Sequence, residues 1–160
     1  VIDFAEAAHA GGRARRQLLG DDDVDRQEEL AVVVAREAHD LEGYDLVVLG
    51  TGLYMGRLHR EARRFLRRHH EELQDVPFAV FGMGPLSNDP VEKETVRPQL
   101  ERGLGHYPDL APVATAIFGG VIDPEKLPFP FNRMPEGDHR DWDEIRSFAL
   151  SLPIRVTTAA

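Results

Sequence analysis

Leu46-Val47-Val48-Leu49 is an unbroken apolar run that ends in Gly50-Thr51-Gly52. It is too short for a helix, and it lacks the alternation of a strand with one wet face. It reads as a strand covered on both sides, the environment of a parallel sheet. Residues 30–35 read the same way. Phe78-Ala79-Val80-Phe81 and Ala114-Thr115-Ala116-Ile117-Phe118 are weaker examples. Helical patterns lie between these runs. Leu58, Ala62, Phe65, Leu66 and Leu73 form a stripe at helical spacing. A helix is expected over residues 91–104, entered at Pro90 and interrupted at Pro98. A last helix starts at Asp141, with Glu144 three residues on as in a capping box. Its expected inner face is Trp142, Ile145, Phe148, Ala149 and Leu152. Strands alternating with helices predict an α/β fold with a parallel sheet between helical layers.

At 160 residues the chain is expected to be one domain, spanning residues 1–160, with a core of its own. Residues 1–29 are atypical for such a domain, and residues 153–160 are expected to form a disordered tail. Formal net charge is -9, from 28 acidic against 19 basic residues. That balance argues against a nucleic-acid binder, whose affinity rests on neutralising phosphates. Cysteine is absent, which removes disulfides, thiolate nucleophiles and thiolate metal ligands and suits the cytoplasm. No apolar run approaches the ~20 residues of a membrane span. The start, Val1-Ile2-Asp3-Phe4, has no basic segment followed by an apolar one, so no signal peptide is expected. It also lacks an initiator Met, as a fragment or a trimmed chain would.

In an open parallel sheet, ligands bind outside the carboxyl ends of the strands. Two glycine-containing loops are expected there. The first covers Thr51, Gly52, Leu53, Tyr54, Met55 and Gly56; the second covers Gly82, Met83, Gly84, Pro85 and Leu86. Gly50 and Gly52 permit positive φ or close approach of backbone to a flat ligand. Thr51 brings a hydroxyl and Tyr54 an aromatic face. Each loop alone is equally well read as a turn that needs glycine for geometry. Two at neighbouring strand ends would form two walls of one cleft.

Arg57, Arg60, Arg63, Arg64, Arg67 and Arg68 share a helix with His59, His69 and His70. The plain reading is the solvated face of an amphipathic helix, with contact to anionic lipid as a weaker one. His69 and His70 are adjacent and so do not face one ligand point. No His and carboxylate set has metal spacing, and no Ser sits in a hydrolase elbow. No catalytic side chain and no metal site is expected. Residues 119–140 hold Gly119, Gly120, Pro124, Pro128, Pro130 and Pro135 and read as a long connection. Connections of that length are functional or disordered.

The string from Tyr44 to Gly50, then Tyr54-Met55-Gly56, the arginine-rich helix and Phe81-Gly82-Met83-Gly84-Pro85-Leu86 resemble the flavodoxin-domain proteins. Within them the nearest group is the menaquinone-dependent protoporphyrinogen IX dehydrogenases and their bacterial relatives. Phe118-Gly119-Gly120-Val121-Ile122-Asp123-Pro124 and Gly137-Asp138-His139-Arg140-Asp141-Trp142 resemble the same group's end. The resemblance covers roughly residues 30–150. It implies a flavodoxin-like three-layer sandwich, strand order 2-1-3-4-5, with FMN at the switch point. It also implies that residues 51–55 and 82–85 hold the flavin ring, with Tyr54 beside it. The flavin then carries the chemistry and the protein tunes it. Relatives oxidise a hydrophobic tetrapyrrole and pass electrons to quinone, a step of heme biosynthesis. The 119–140 connection, with Phe129 and Phe131 at its tips, becomes a candidate substrate contact or a peripheral contact with the inner face of the cell membrane.

The start departs from this pattern. The family opens with an apolar strand and a hydroxyl-rich loop that cradles the FMN phosphate. Here Asp3 interrupts the expected strand, and Glu6-Ala7-Ala8-His9-Ala10-Gly11-Gly12 has no Ser or Thr. Three readings stay open: a degenerate loop using Gly11, Gly12 and Arg13, a damaged or misread first segment, or loss of FMN. The last would leave a non-catalytic remnant that serves as a binding module. A phospho-receiver of the same sheet order would need acidic residues and an acceptor Asp at the strand ends, where Thr51 and Met83 stand.

Overall fold

The computed structural model describes residues 35–54, 56–84, 87–126, 129 and 131–159. The expected first strand, its loop and most of the 30–35 run lie outside these residues; Ala35 itself is in a turn. Strand β1, Val47–Tyr54, pairs in parallel with β3, Phe78–Met83, and β3 pairs in parallel with β4, Ala114–Phe118. These are the third, fourth and fifth strands of the expected order. A two-residue strand β2, Arg57–Leu58, folds back antiparallel on the end of β1, giving the order β2-β1-β3-β4.

Helices cover both faces, so the architecture is the expected α/β sandwich. Along β3 the side chains alternate: Phe78 and Val80 enter the larger apolar cluster, and Ala79 enters the smaller one. The larger holds Ala62, Phe65 and Leu66 of α1 (Arg60–Arg68), Leu73 of α2 (Glu72–Asp75) and Leu100 of α3 (Pro90–Leu104). On the other face, Leu152 of α4 (Trp142–Ala159) packs on Ala79 and Ala114. Phe118 bridges inward, its ring 5.6 Å from both Phe81 and Phe148.

Local chemistry explains the element ends. Asp89 accepts from the Val91 amide at 2.8 Å, and Pro90 opens α3, where a missing N–H costs nothing. Pro98 is tolerated inside that helix. The Asp141 carboxylate accepts from the Asp143 and Glu144 amides, both at 3.0 Å, as its sequence pattern predicts. Lys93 of α3 reaches Glu144 of α4 at 2.5 Å.

Three expectations change. The stripe from 58 to 73 is not one helix: Leu58 belongs to β2, α1 stops at Arg68, and His69 turns inward to the Glu72 carboxylate and the Ala38 carbonyl. Trp142 and Ala149 lie outside the packed face of α4. Helix α4 itself runs to Ala159. Residues 119–140 are not structureless: β5, Val121–Ile122, pairs with β6, Gly137–Asp138, and two short 3-10 turns lie between them.

Candidate functional site

The carboxyl ends of the three parallel strands form one edge. Gly52 sits opposite Met83, and Met83 opposite Phe118, so the three occupy one row across the sheet. Residues 51–54 are not a loop. They continue β1, and the reversal comes only at residues 55 and 56, where Gly56 takes a φ of +78°. That left-handed residue fits a tight hairpin.

Neither Gly50 nor Gly52 has a positive φ. Their roles differ. A methyl on Gly50 would stand 2.5 Å from the tip of the Phe81 ring, so this glycine makes room for an aromatic. A methyl on Gly52 would meet nothing within 4 Å. Gly52 therefore leaves open space on its Cα side at the ligand edge. Gly82 and Gly84 are packing glycines: their faces lie against the Leu53 side chain, 2.7 Å and 3.0 Å from where a methyl would be.

The expected site residues thus divide. Gly52, Leu53, Met83 and Gly84 come together at the carboxyl ends of β1 and β3, with Gly82 one step inward. Met83 is buried, so only its backbone is available at the edge. Thr51 is buried too, and its hydroxyl is committed. It donates to the Gly52 carbonyl at 3.1 Å and accepts from the His59 amide at 3.2 Å. The His59 amide also donates to the Gly52 carbonyl at 3.0 Å. Thr51 fastens the hairpin to the start of α1. Tyr54 ends β1, its backbone paired with Arg57. Met55 and Pro85 lie outside the described residues.

The 119–140 segment adds a third element beside this edge. After β4 the chain passes Gly119, whose open side is filled by the His139 carbonyl, with the Asn88 side-chain oxygen also close. The His139 amide donates to the Gly120 carbonyl at 2.9 Å. The β5–β6 ribbon is thereby clamped beside the carboxyl end of β4. The adjacent pair Gly119-Gly120 was the available signal, because only a residue without Cβ admits a backbone that close. At the foot of the ribbon Arg140 bonds Asp138 at 2.5 and 2.8 Å, which holds the Asp138 carboxyl down at about 2. The Arg140 guanidinium lies 4.9 Å over the Trp142 ring.

Among the described residues no group of three His, Cys, Asp or Glu side chains can hold a metal ion. No helix among them is long and apolar enough to cross a membrane. The edge suits a flat ligand, because the space over Gly52 is open. That is the demand an isoalloxazine ring makes, so the ring half of an FMN fits the residues present.

No curated protein and no solved structure matches the chain. The family model of the flavodoxin domain matches residues 22–134, well over half of the 160. With three parallel strands, helices on both faces and an open carboxyl edge at the expected strands, the chain belongs to the flavodoxin-domain family.

Proposed function

We propose that this protein is an FMN-dependent redox protein whose flavin ring lies across the carboxyl ends of β1 and β3. The observation that carries the reading is the open space over Gly52, in a row with Met83 and Phe118. Residues 51–55 and 82–85 would hold the ring, through backbone groups at Gly52 and Gly84 and through Tyr54. Bound FMN would supply the electron-accepting centre; the chain's part is to seat it and set the polarity at its rim. The finer reading is oxidation of a protoporphyrinogen-type tetrapyrrole with quinone as acceptor. Its support is the resemblance of the Phe118-Gly119-Gly120 and His139-Arg140-Asp141-Trp142 strings to that group. Phe129, 70% exposed beneath the Arg133 guanidinium, offers the apolar tip that a hydrophobic substrate or a membrane surface would meet.

The test is direct titration. The purified chain should bind FMN with the bound-flavin shift in blue absorbance, and Tyr54→Ala should weaken that binding or move the flavin potential. A folded chain that takes up no FMN would sink the redox reading and leave the remnant. Anaerobic reduction of the bound flavin by protoporphyrinogen, followed by reoxidation with a quinone, tests the finer reading separately.

A further inference from the structure

The stretch from β2 through α1 concentrates positive charge in an acidic chain. Arg57, Arg60, Arg63, Arg64, Arg67 and Arg68 stand against Glu61 alone, while the whole chain is at -9. Positions 60, 64, 67 and 68 return to one side of a helix with 3.6 residues per turn. Ala62, Phe65 and Leu66 on the opposite side are buried. That outward face is not flat. Arg68 donates to the carbonyls of Arg36 at 3.4 Å and Ala38 at 3.3 Å, and the buried His69 ring reaches the same Ala38 carbonyl at 3.2 Å. These bonds draw residues 35–38 against the end of the helix. The result is an open cavity of about 420 Å³ lined by Arg36, Arg60, Glu61, Arg64, Arg67 and Arg68.

The charges in this cavity do not cancel. Glu61 is shared by Arg60 at 3.0 Å and Arg64 at 3.2 Å. Burial pushes the Glu61 carboxyl up, yet the Arg60 hydrogen bond and the Arg64, Arg60 and His59 charges outweigh it and hold it below its ordinary value. Arg36 meets Glu37 at 3.4 Å, with both side chains more than half exposed. Arg68 is bonded to neutral carbonyls, which orient it without neutralising it. Arg67 has no carboxylate partner among the described residues. Five guanidiniums thus face one wall-building carboxylate in a concavity of small-ligand size.

We propose that this cavity binds a compact solute carrying two or more phosphate groups. The guanidinium fork matches phosphate oxygens in pairs, and several forks at different heights on the helix need more than one phosphate to engage them. The lining contains no apolar side chain that would enter lipid, and its concavity selects a discrete solute over a flat surface. The cavity shares no lining residue with the proposed flavin edge.

The probe is inorganic tripolyphosphate, titrated calorimetrically into the full chain at fixed ionic strength, with pyrophosphate and orthophosphate beside it. Arginine side-chain N–H resonances provide a second readout on the unmutated protein. Tripolyphosphate should bind with one-to-one saturation and move these resonances, and orthophosphate should bind roughly tenfold more weakly or worse. Arg67→Gln should weaken tripolyphosphate roughly tenfold. Glu61→Gln should tighten it by removing the competing carboxylate. Arg63→Gln, outside the cavity lining, should leave it unchanged. The proposal falls if Arg63→Gln weakens binding as much as Arg67→Gln, which would mark a diffuse charge field. It also falls if tripolyphosphate does not saturate. Adsorption to phosphatidylglycerol vesicles that tripolyphosphate cannot displace would overturn it as well, because the phosphate partner would then be a lipid surface.

Discussion

Gly50 and Gly52 are two residues apart in one strand and do opposite work. Gly50 is packed under the Phe81 ring, so Gly50→Ala must push that ring or the strand aside and should cost about 1–3 kcal/mol of stability. Gly52 faces open space, so Gly52→Ala should change stability by less than about 0.5 kcal/mol. The same methyl would stand where the flavin rim is proposed to lie, so FMN affinity should fall. Urea unfolding followed by circular dichroism, with FMN titration of both variants, separates the two effects. Equal stability losses would contradict the division. At Asp138 the controlling neighbour is Arg140, whose side-chain and backbone hydrogen bonds lower the carboxyl from 3.8 to about 2. Because the folded value is the lower one, the pair favours the folded ribbon fully above pH 3.8. That contribution is lost as pH falls through about 2. Carbon-13 titration of the Asp138 carboxyl should show the low midpoint, and Arg140→Ala should return it toward 3.8.

The elements differ in how plainly the sequence announces them. Leu49, Val80 and Ile117 sit in short apolar runs that read as strands, and β1, β3 and β4 lie there, although Val48 in the first run is 45% exposed. Pro90 and Asp141 mark helix starts through local chemistry, and both helices begin beside them. Asp141→Ala removes an acceptor from two amides at the start of α4 and should cost about 1 kcal/mol, read as a lowered denaturation midpoint. The extension of β1 through Tyr54 was hidden, because Gly50-Thr51-Gly52 has the composition of a loop. What makes it strand is tertiary: a ring over Gly50 and the β3 ladder beside it. The arginine cavity was equally hidden. Its helix face is visible in the sequence, but its second wall is Arg36, brought in by bonds that Arg68 and His69 make to backbone about thirty residues away. Local periodicity carries no trace of such a contact.

At the scale of the whole molecule, the sheet separates two apolar clusters that are of unequal size among the described residues. Leu66 is fully buried among α1, α2, α3 and the sheet, whereas Leu152 packs on Ala79 and Ala114. Leu66→Ala should therefore cost about 2–5 kcal/mol, and Leu152→Ala less, by urea unfolding. The flavin site has a comparable asymmetry. The proposed ring edge would be built by β1 and β3, while Glu6-Ala7-Ala8-His9-Ala10-Gly11-Gly12 contains no hydroxyl side chain for a phosphate and lies before the matched residues 22–134. Riboflavin, which lacks the phosphate, should then bind only a few-fold more weakly than FMN; a loss of several orders of magnitude would reveal a working phosphate cradle. The stacking of Arg140 on Trp142 has a practical corollary. Trp142 is the chain's sole tryptophan, and it stands 58% exposed where the ribbon meets α4. Its emission is a local gauge of that junction and is nearly blind to both cores. A fluorescence melt of this protein will report the ribbon letting go, and the loss of the sheet must be followed by another signal.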